Sequence, residues 1–177
     1  MKSLVLYRIF SYFLIAIAAL LGIISLLGLL VGLSNPEILL DVFVMAAVVV
    51  YSFSSFFFLL NGIDGKQQLK SKAKDIINVN AYVALVFVMM IIFRVILIVN
   101  NPSILDDKVK EMISMQGARS PVTADILGRF MQAVLWSFLF YAVILGAHIS
   151  MTFRLLKQYA HLFGEKKSDD IHPERID

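Results

Sequence analysis

The sequence predicts an all-α integral membrane protein, an antiparallel bundle of four spans with a short amphipathic surface helix in the external loop. Composition is the first reason. Of 177 residues, 59% are hydrophobic and 16% are charged, whereas soluble domains have about 45–50% apolar and about 25% charged residues. A small globule cannot bury such an excess of apolar surface. Distribution is the second reason, because the apolar residues form four stretches of about the 20 residues that cross a bilayer.

The four predicted spans cover residues 9–33, 38–60, 79–99 and 126–153. The first is longer than the apolar core of about 7–15 residues in a signal peptide, so we interpret it as an uncleaved anchor. Pro36 precedes the second span, where proline suits a first helical turn. Together the spans form one membrane domain, 1–163. The tail that follows, 164–177, is rich in charge and is predicted to be disordered.

Charge distribution predicts the orientation of the spans. An even number of spans places both termini on one side of the membrane. Of the 16 Lys and Arg residues, eleven lie on the side of the termini and five on the other side. Because positive residues near span ends favour the cytoplasm, we expect both termini to be cytoplasmic. The predicted location is therefore a multi-pass membrane protein, for which we expect a bacterial inner membrane.

The cytoplasmic loop, 62–78, carries four lysines, Lys66, Lys70, Lys72 and Lys74. Our first interpretation is a helical extension of the third span, with the lysines contacting anionic lipid head groups. A loop that docks a partner protein is the alternative. Since the basic residues lie where apolar stretches end, the net charge of +3 is explained by topology, and we expect no nucleic-acid partner.

The external loop, 100–124, contains a helical pattern of apolar residues. These are Ile104, Leu105, Val109, Met112 and Ile113, with acidic and basic residues on the opposite side. The pattern predicts a short amphipathic helix on the outer membrane surface. Gly117 is expected to end this helix, and Ser120 with Pro121 is expected to turn the chain into the fourth span.

Five polar residues are predicted to share one layer near the outer face: Asp41, Arg94, Asp125, Arg129 and Gln132. Charged residues inside spans are costly and are therefore candidates for function. One interpretation is that the two arginines extend to the outer head groups. The other is an ion-paired cluster that joins Asp41 to Arg94 or Arg129. Such a cluster is a structural clip or a binding site.

Two polar residues, Asn80 and His148, are predicted near the inner face. Helical spacing aligns Ser52 and Ser55 with Asp41 on the second span, and we expect the serines and Asn80 to form hydrogen bonds between helices. A buried His148 could relay protons or sense pH; the alternative is an interfacial histidine bonded to a nearby backbone group or hydroxyl. The aromatic stretch 51–58 (YSFSSFFF) is interpreted as a lipid-facing surface.

Small residues predict where helices approach closely. Gly28 and Gly32 form a GxxxG pattern on the first span, and Ala142, Gly146 and Ser150 form a ladder of small residues on the fourth. Such spacing lets helix backbones come close together. We expect these two faces to pack against each other within one chain.

The sequence contains no complete motif for catalysis, a metal or a cofactor. It has no cysteine, which excludes disulfides and thiolate sites. It also lacks HExxH, a phosphate-binding glycine loop and GxSxG. We therefore expect a protein without catalytic activity, a cofactor or a metal: an accessory, assembly or structural subunit that acts through helix contacts with a membrane-protein partner or a second copy.

The alternative is a transporter or channel for a small solute or ion, working as a homo-oligomer. In that case the outer polar residues would form a vestibule, and Asn80, Ser52 and Ser55 would line a route inward. A closed ion pair between Asp41 and Arg94 would favour the structural hypothesis. An open polar funnel would favour transport.

Overall fold

A computed structural model describes residues 2–116 and 123–164 of the chain. The described residues are all-α, as predicted, and contain five α-helices. They are α1 (Lys2–Gly32), α2 (Leu39–Phe57), α3 (Ser71–Asn100), α4 (Ser103–Gln116) and α5 (Ala124–Gln158). All but α4 are long and apolar enough to cross a membrane. The expectations for Gly117, for Ser120 with Pro121 and for the tail beyond Gly164 fall outside the described residues.

Three of the long helices, α1, α3 and α5, begin or end beyond the predicted spans, whereas α2 lies within its predicted span. α1 starts at Lys2 and α3 starts at Ser71, so Lys72 and Lys74 lie in the first turns of α3. This confirms that part of the lysine-rich loop is a helical extension of the third span. α4 confirms the helix predicted in the loop 100–124. At the start of α5, the Thr123 side chain caps the helix by accepting a hydrogen bond from the Ile126 amide at 3.4 Å.

α2 continues as a π-helical segment, Phe58–Asp64, before the chain turns into α3. The Gln67 amide donates to the Asn61 carbonyl at 2.9 Å and closes this segment. The turn needs glycine at position 65, because a Cβ there would lie 2.9 Å from the Asn61 carbonyl oxygen. Lys66 follows in a left-handed conformation, with φ of 50°, which is costly for a residue with a side chain.

Contacts between helices follow the order α1, α2, α3, α5. α2 packs along both α1 and α3, α5 packs along α3 and more briefly along α1, and α4 lies mainly against α5. At one end of the molecule, Arg8 of α1 pairs with Asp64, and Leu69 forms an isolated β-bridge with Phe163. We call this the α2–α3 end. The opposite end, where α4 lies, is the α4 end.

The largest fully buried side chains lie towards the α2–α3 end. They include Tyr7, Tyr51, Phe58, Leu59, Ile77, Leu145, Ile149 and Leu156. The segment after α5 also packs against this end. Its Leu162 carbonyl accepts a hydrogen bond from the Leu69 amide at 2.7 Å. Phe163 packs on Phe58 with ring centroids 5.4 Å apart. The tightest part of the core is therefore at this end.

The glycines of α1 pack against α2, not against α5. A Cβ on Gly28 would lie 2.9 Å from Val42, and a Cβ on Gly32 would lie 2.6 Å from a Leu39 side-chain carbon. The expected pairing of the small-residue faces of spans one and four is therefore wrong. The short connection between α1 and α2 brings these two helices together as direct neighbours, and their glycines are used there.

The small residues of α5 face α3 instead of α1. Gly146 lies opposite Val88, with 3.7 Å from a built Cβ to the valine side chain, and Ala142 is fully buried. Ser150, the last member of the predicted ladder, is exposed and donates to the Gly146 carbonyl at 3.0 Å. Only part of the ladder therefore forms a helix contact.

Candidate functional site

The five polar residues predicted near the outer face form two separate ion pairs and one exposed amide. Arg94 of α3 pairs with Asp41 of α2 across 3.3 Å. Arg129 pairs with Asp125 at 3.1 Å, one turn earlier on the same helix. Gln132 is exposed. Because residues four apart are neighbours on a helix, Arg129 pairs with Asp125 of its own helix, and Asp41 pairs with Arg94.

The Asp41–Arg94 pair is long and partly exposed. One guanidinium nitrogen, Nη2 of Arg94, lies 3.3 Å from both carboxylate oxygens of Asp41. Strong charge-assisted hydrogen bonds are about 2.7–2.9 Å long. The two side chains are 55% and 49% exposed, and an ion pair that faces water in this way contributes at most about 1 kcal/mol to stability. Arg94 therefore has donor capacity available for another anion.

Beneath this ion pair lies a cavity of about 630 Å³, between α2, α3, α4 and α5. Among the described residues that line it, Asp41, Arg94 and Lys108 are charged and the others are apolar. The walls include Phe87, Met90, Ile91, Phe130, Val134 and Phe138. The arrangement is thus an apolar chamber with charged groups at its rim, which differs from both a closed ion pair and an open polar funnel.

α4 forms one side of the cavity. Ile104, Leu105 and Lys108 line it, and Val109 is buried at the contact with α5, 4.0 Å from a Cβ built on Gly128. The apolar pattern that predicts α4 as amphipathic therefore serves two contacts, the cavity and α5.

A second polar centre lies at the α2–α3 end, around His148. The imidazole Nε2 is 2.9 Å from the Ser11 hydroxyl, and Nδ1 is 2.7 Å from the Tyr51 hydroxyl. Tyr51 in turn lies 2.8 Å from Thr152 Oγ1. Tyr7 stacks flat on the imidazole, with ring centroids 4.5 Å apart. We call these five residues, Tyr7, Ser11, Tyr51, His148 and Thr152, the histidine network.

The distances fit a consistent set of donors and acceptors. When Ser11 donates to the Tyr7 carbonyl at 2.8 Å, its oxygen accepts from the Nε2–H group of His148. Nδ1 then accepts from the Tyr51 hydroxyl. The Thr152 hydroxyl has one proton and three oxygens within reach, the His148 carbonyl at 2.9 Å, the Tyr51 hydroxyl at 2.8 Å and the Tyr7 hydroxyl at 3.4 Å. The network joins α1, α2 and α5.

One buried hydroxyl near the network is left over. Tyr141 of α5 is buried, and its hydroxyl oxygen makes no hydrogen bond to any described residue. Ser52 is close enough to interact with it, but the Ser52 hydroxyl donates to the Val48 carbonyl at 2.8 Å. Buried polar groups without partners cost stability, so the Tyr141 hydroxyl is a local weakness in an otherwise paired core.

Three predicted hydrogen bonds between helices are absent from the described structure. Ser52, Ser55 and Asn80 each donate to a backbone carbonyl of their own helix, to Val48, Ser52 and Ile76 respectively. The reason is local, because a carbonyl one turn earlier is always within reach of a short polar side chain. The expected link between helices exists, but the histidine network forms it.

Sequence reasoning placed His148 near the inner face and proposed a hydroxyl partner as one alternative. It missed Tyr7, Ser11 and Tyr51. Residues 51–58 also divide differently from the interpretation as a lipid-facing surface. Phe53 and Phe57 are exposed, whereas Tyr51 and Phe58 are fully buried. A tyrosine hydroxyl inside an apolar stretch was the available signal, since buried tyrosines need a hydrogen-bond partner.

Within residues 2–116 and 123–164, no three His, Asp or Glu side chains come together as a metal site would require. Comparison with known proteins finds no matching family, no similar curated protein and no similar solved structure.

Proposed function

We propose that the four long helices form an antiparallel bundle in the membrane, with both termini in the cytoplasm. Contacts at the α2–α3 end support the antiparallel arrangement, because the start of α1 meets the end of α2 through Arg8 and Asp64. The lysines at the start of α3 belong to this same end, where they would contact anionic lipid head groups. α4 then lies at the outer surface.

The absence of cysteine allows a direct test of this topology. Single cysteines replace Lys72 at the α2–α3 end and Lys108 on α4, and intact cells are treated with a membrane-impermeant maleimide. We expect labelling of the Lys108→Cys variant in intact cells and of the Lys72→Cys variant only after lysis. The reverse pattern would overturn the orientation.

We propose that the protein has no catalytic activity and acts as an accessory, assembly or structural subunit through helix contacts. One observation carries this proposal. The polar centre deep between the helices is buried and bonded to itself, and His148, Tyr51 and Thr152 are all inaccessible. The long helices otherwise expose apolar side chains, among them Leu20, Leu26 and Leu30 of α1. These exposed apolar faces are sufficient for contacts with another membrane protein, and such contacts require no polar site.

Site-specific photo-crosslinking in native membranes tests the proposal. A photoreactive amino acid is placed at Leu26, which is exposed on α1, or at Leu14, which is buried on the same helix. We expect the Leu26 position to form a discrete adduct with one membrane protein or with a second copy, and the Leu14 position to form none. Adducts with lipid alone at Leu26 and at similar exposed positions on α2, α3 and α5 would count against a subunit role.

The transport hypothesis has less support. The cavity below Asp41 and Arg94 has apolar walls, and fully buried Tyr51, Phe58 and Leu145 fill the core at the other end. A polar solute would therefore lose its hydration at the cavity walls without gaining hydrogen bonds. Transport would require a rearrangement of both ends or a pathway between copies.

A further inference from the structure

We propose that the cavity at the α4 end is a binding site for a monoanionic amphiphile with one hydrocarbon chain, a fatty-acid carboxylate. The chain would occupy the apolar chamber, and the carboxylate would bind Arg94 and Lys108 at the rim. This inference goes beyond the accessory function and does not depend on it. It rests on the size of the cavity, the chemistry of its walls and the charge of its rim.

Cavity size separates a small amphiphile from a partner helix. A volume of about 630 Å³ lies within the range of about 300–1,000 Å³ that is usual for small-molecule sites. A cylinder with the diameter of about 10 Å of an α-helix would fill this volume in about 8 Å, or roughly five residues. A transmembrane helix of a partner therefore does not fit inside, whereas a hydrocarbon chain does.

The walls suit a flexible hydrocarbon chain. Phe87, Phe130 and Phe138 contribute aromatic surface, and Met45 and Met90 contribute unbranched side chains. Methionine adapts its shape to irregular apolar partners. Polar groups that would orient a sugar, nucleotide or peptide are missing from the described walls, so the lining selects for hydrocarbon.

The rim selects for one negative charge. The described charged groups that line the cavity, Asp41, Arg94 and Lys108, carry one net positive charge, and Glu111, which does not line it, offsets that charge by pairing with Lys108. Because both cations already have a carboxylate partner, one ligand carboxylate is easier to accommodate than a phosphate monoester, which carries about −1.5 to −2 at neutral pH. Asp41 sits 3.3 Å from Arg94 and would compete with the carboxylate of the ligand. Lys108 is likewise shared with Glu111 at 2.6 Å.

Because Asp41 competes with the ligand for Arg94, removing the charge of Asp41 should increase the affinity for a carboxylate. Replacing Asp41 with Asn should strengthen binding of a carboxylate several-fold, because Arg94 loses its internal partner. Replacing Arg94 with Gln should weaken binding about tenfold or more, which corresponds to the loss of one charge-assisted hydrogen bond. Misfolding cannot explain a gain in affinity, so the Asp41→Asn variant keeps the proposal testable if other variants are unstable.

The probe is hexadecanoate with a photoactivatable group in its chain, added to the purified full chain in non-ionic detergent. Unlabelled hexadecanoate, hexadecanol and hexadecyl phosphate compete. We expect adducts on the α3 and α5 cavity walls, displacement by hexadecanoate, and at least tenfold weaker displacement by hexadecanol and hexadecyl phosphate. Val134→Trp, which fills the cavity, should abolish the adducts.

The matched control is Arg129→Gln. Arg129 is an exposed arginine paired with its own aspartate on α5, and it does not line the cavity. We expect this variant to bind like the wild-type chain. Equal weakening by Arg94→Gln and Arg129→Gln, equal displacement by hexadecanol, or adducts that persist in Val134→Trp would overturn the proposal. A preference for hexadecyl phosphate would overturn the assignment of a carboxylate.

Discussion

The two ends of the molecule differ in how the same helices pack: buried hydrogen bonds join the helices at one end, and a cavity separates them at the other. At the α2–α3 end, the histidine network ties α1, α2 and α5 together through hydroxyl groups that are almost entirely buried. At the α4 end, α2, α3 and α5 separate around a cavity of about 630 Å³ with charges at its rim. The buried hydrogen bonds fix the positions of the helices relative to one another at the α2–α3 end, whereas the apolar cavity at the α4 end leaves room for a ligand.

This difference implies that stability is concentrated at one end. Native proteins tolerate loosely packed regions where they bind ligands, provided that another region holds the fold. Single substitutions at the two ends test this division.

His148→Ala should cause the largest loss of stability, about 3 kcal/mol. The substitution removes hydrogen bonds to Ser11 and Tyr51, leaves both hydroxyls buried and opens a void beneath Tyr7. Unfolding by sodium dodecyl sulfate in mixed micelles measures the change. His161→Ala is the control, because His161 is exposed. Losses of similar size in the two variants would mean that the network does not hold the fold.

Alanine at two glycines should have opposite effects at the two ends. In Gly65→Ala the new Cβ meets the Asn61 carbonyl oxygen at 2.9 Å, which should cost about 2 kcal/mol of stability. In Gly128→Ala the nearest atom is at 4.0 Å, and alanine in a helix should stabilise the protein by about 0.5–1 kcal/mol. The same unfolding assay compares them, and a loss from Gly128→Ala equal to that from Gly65→Ala would contradict the account.

Two tyrosines allow a matched test of the hydroxyl groups. Tyr51→Phe removes a hydroxyl bonded to His148 and Thr152 and should destabilise the protein by about 1 kcal/mol. Tyr141→Phe removes a buried hydroxyl without a described partner and should leave stability unchanged or raise it. Thermal aggregation in detergent ranks the two variants. A larger loss from Tyr141→Phe would show that its hydroxyl has a partner after all.

Asp41→Asn should have the smallest effect on stability, below about 1 kcal/mol, because the ion pair is half exposed. This variant distinguishes an ion pair that holds α2 to α3 from a pair of charged groups that only line the rim of the cavity. If the pair were a clip that holds α2 to α3, the loss of stability would approach that of His148→Ala in the same unfolding assay.

Hydropathy and helical spacing predicted the spans and α4 because those signals are local. The 25 residues from Ile9 to Leu33 can only be a long apolar helix, and the spacing of Ile104, Leu105 and Val109 is helical whatever surrounds it. Asp41 and Arg94 were proposed as partners because both lie near the ends of neighbouring spans, and the ion pair is observed.

Contacts between helices were harder to predict because they depend on rotation and register. Gly28 and Gly32 signal a close approach but do not say which helix approaches. The same holds for Tyr7 and Ser11, which meet His148 across 141 and 137 residues of sequence. For three other residues the sequence predicts contacts between helices that the structure does not show. The side chains of Ser52, Ser55 and Asn80 donate hydrogen bonds to carbonyl groups of their own helices instead.

Cysteine reactivity would test the contrast between the two ends most directly, because the wild-type chain has no cysteine. Ile91→Cys places a thiol in the cavity wall, and Thr152→Cys places one in the buried histidine network. With an alkyl maleimide in detergent, we predict fast labelling at position 91, protection there by hexadecanoate, and no labelling at position 152 until the protein unfolds. Equal labelling at both positions, or labelling at position 91 that hexadecanoate does not slow, would contradict the account.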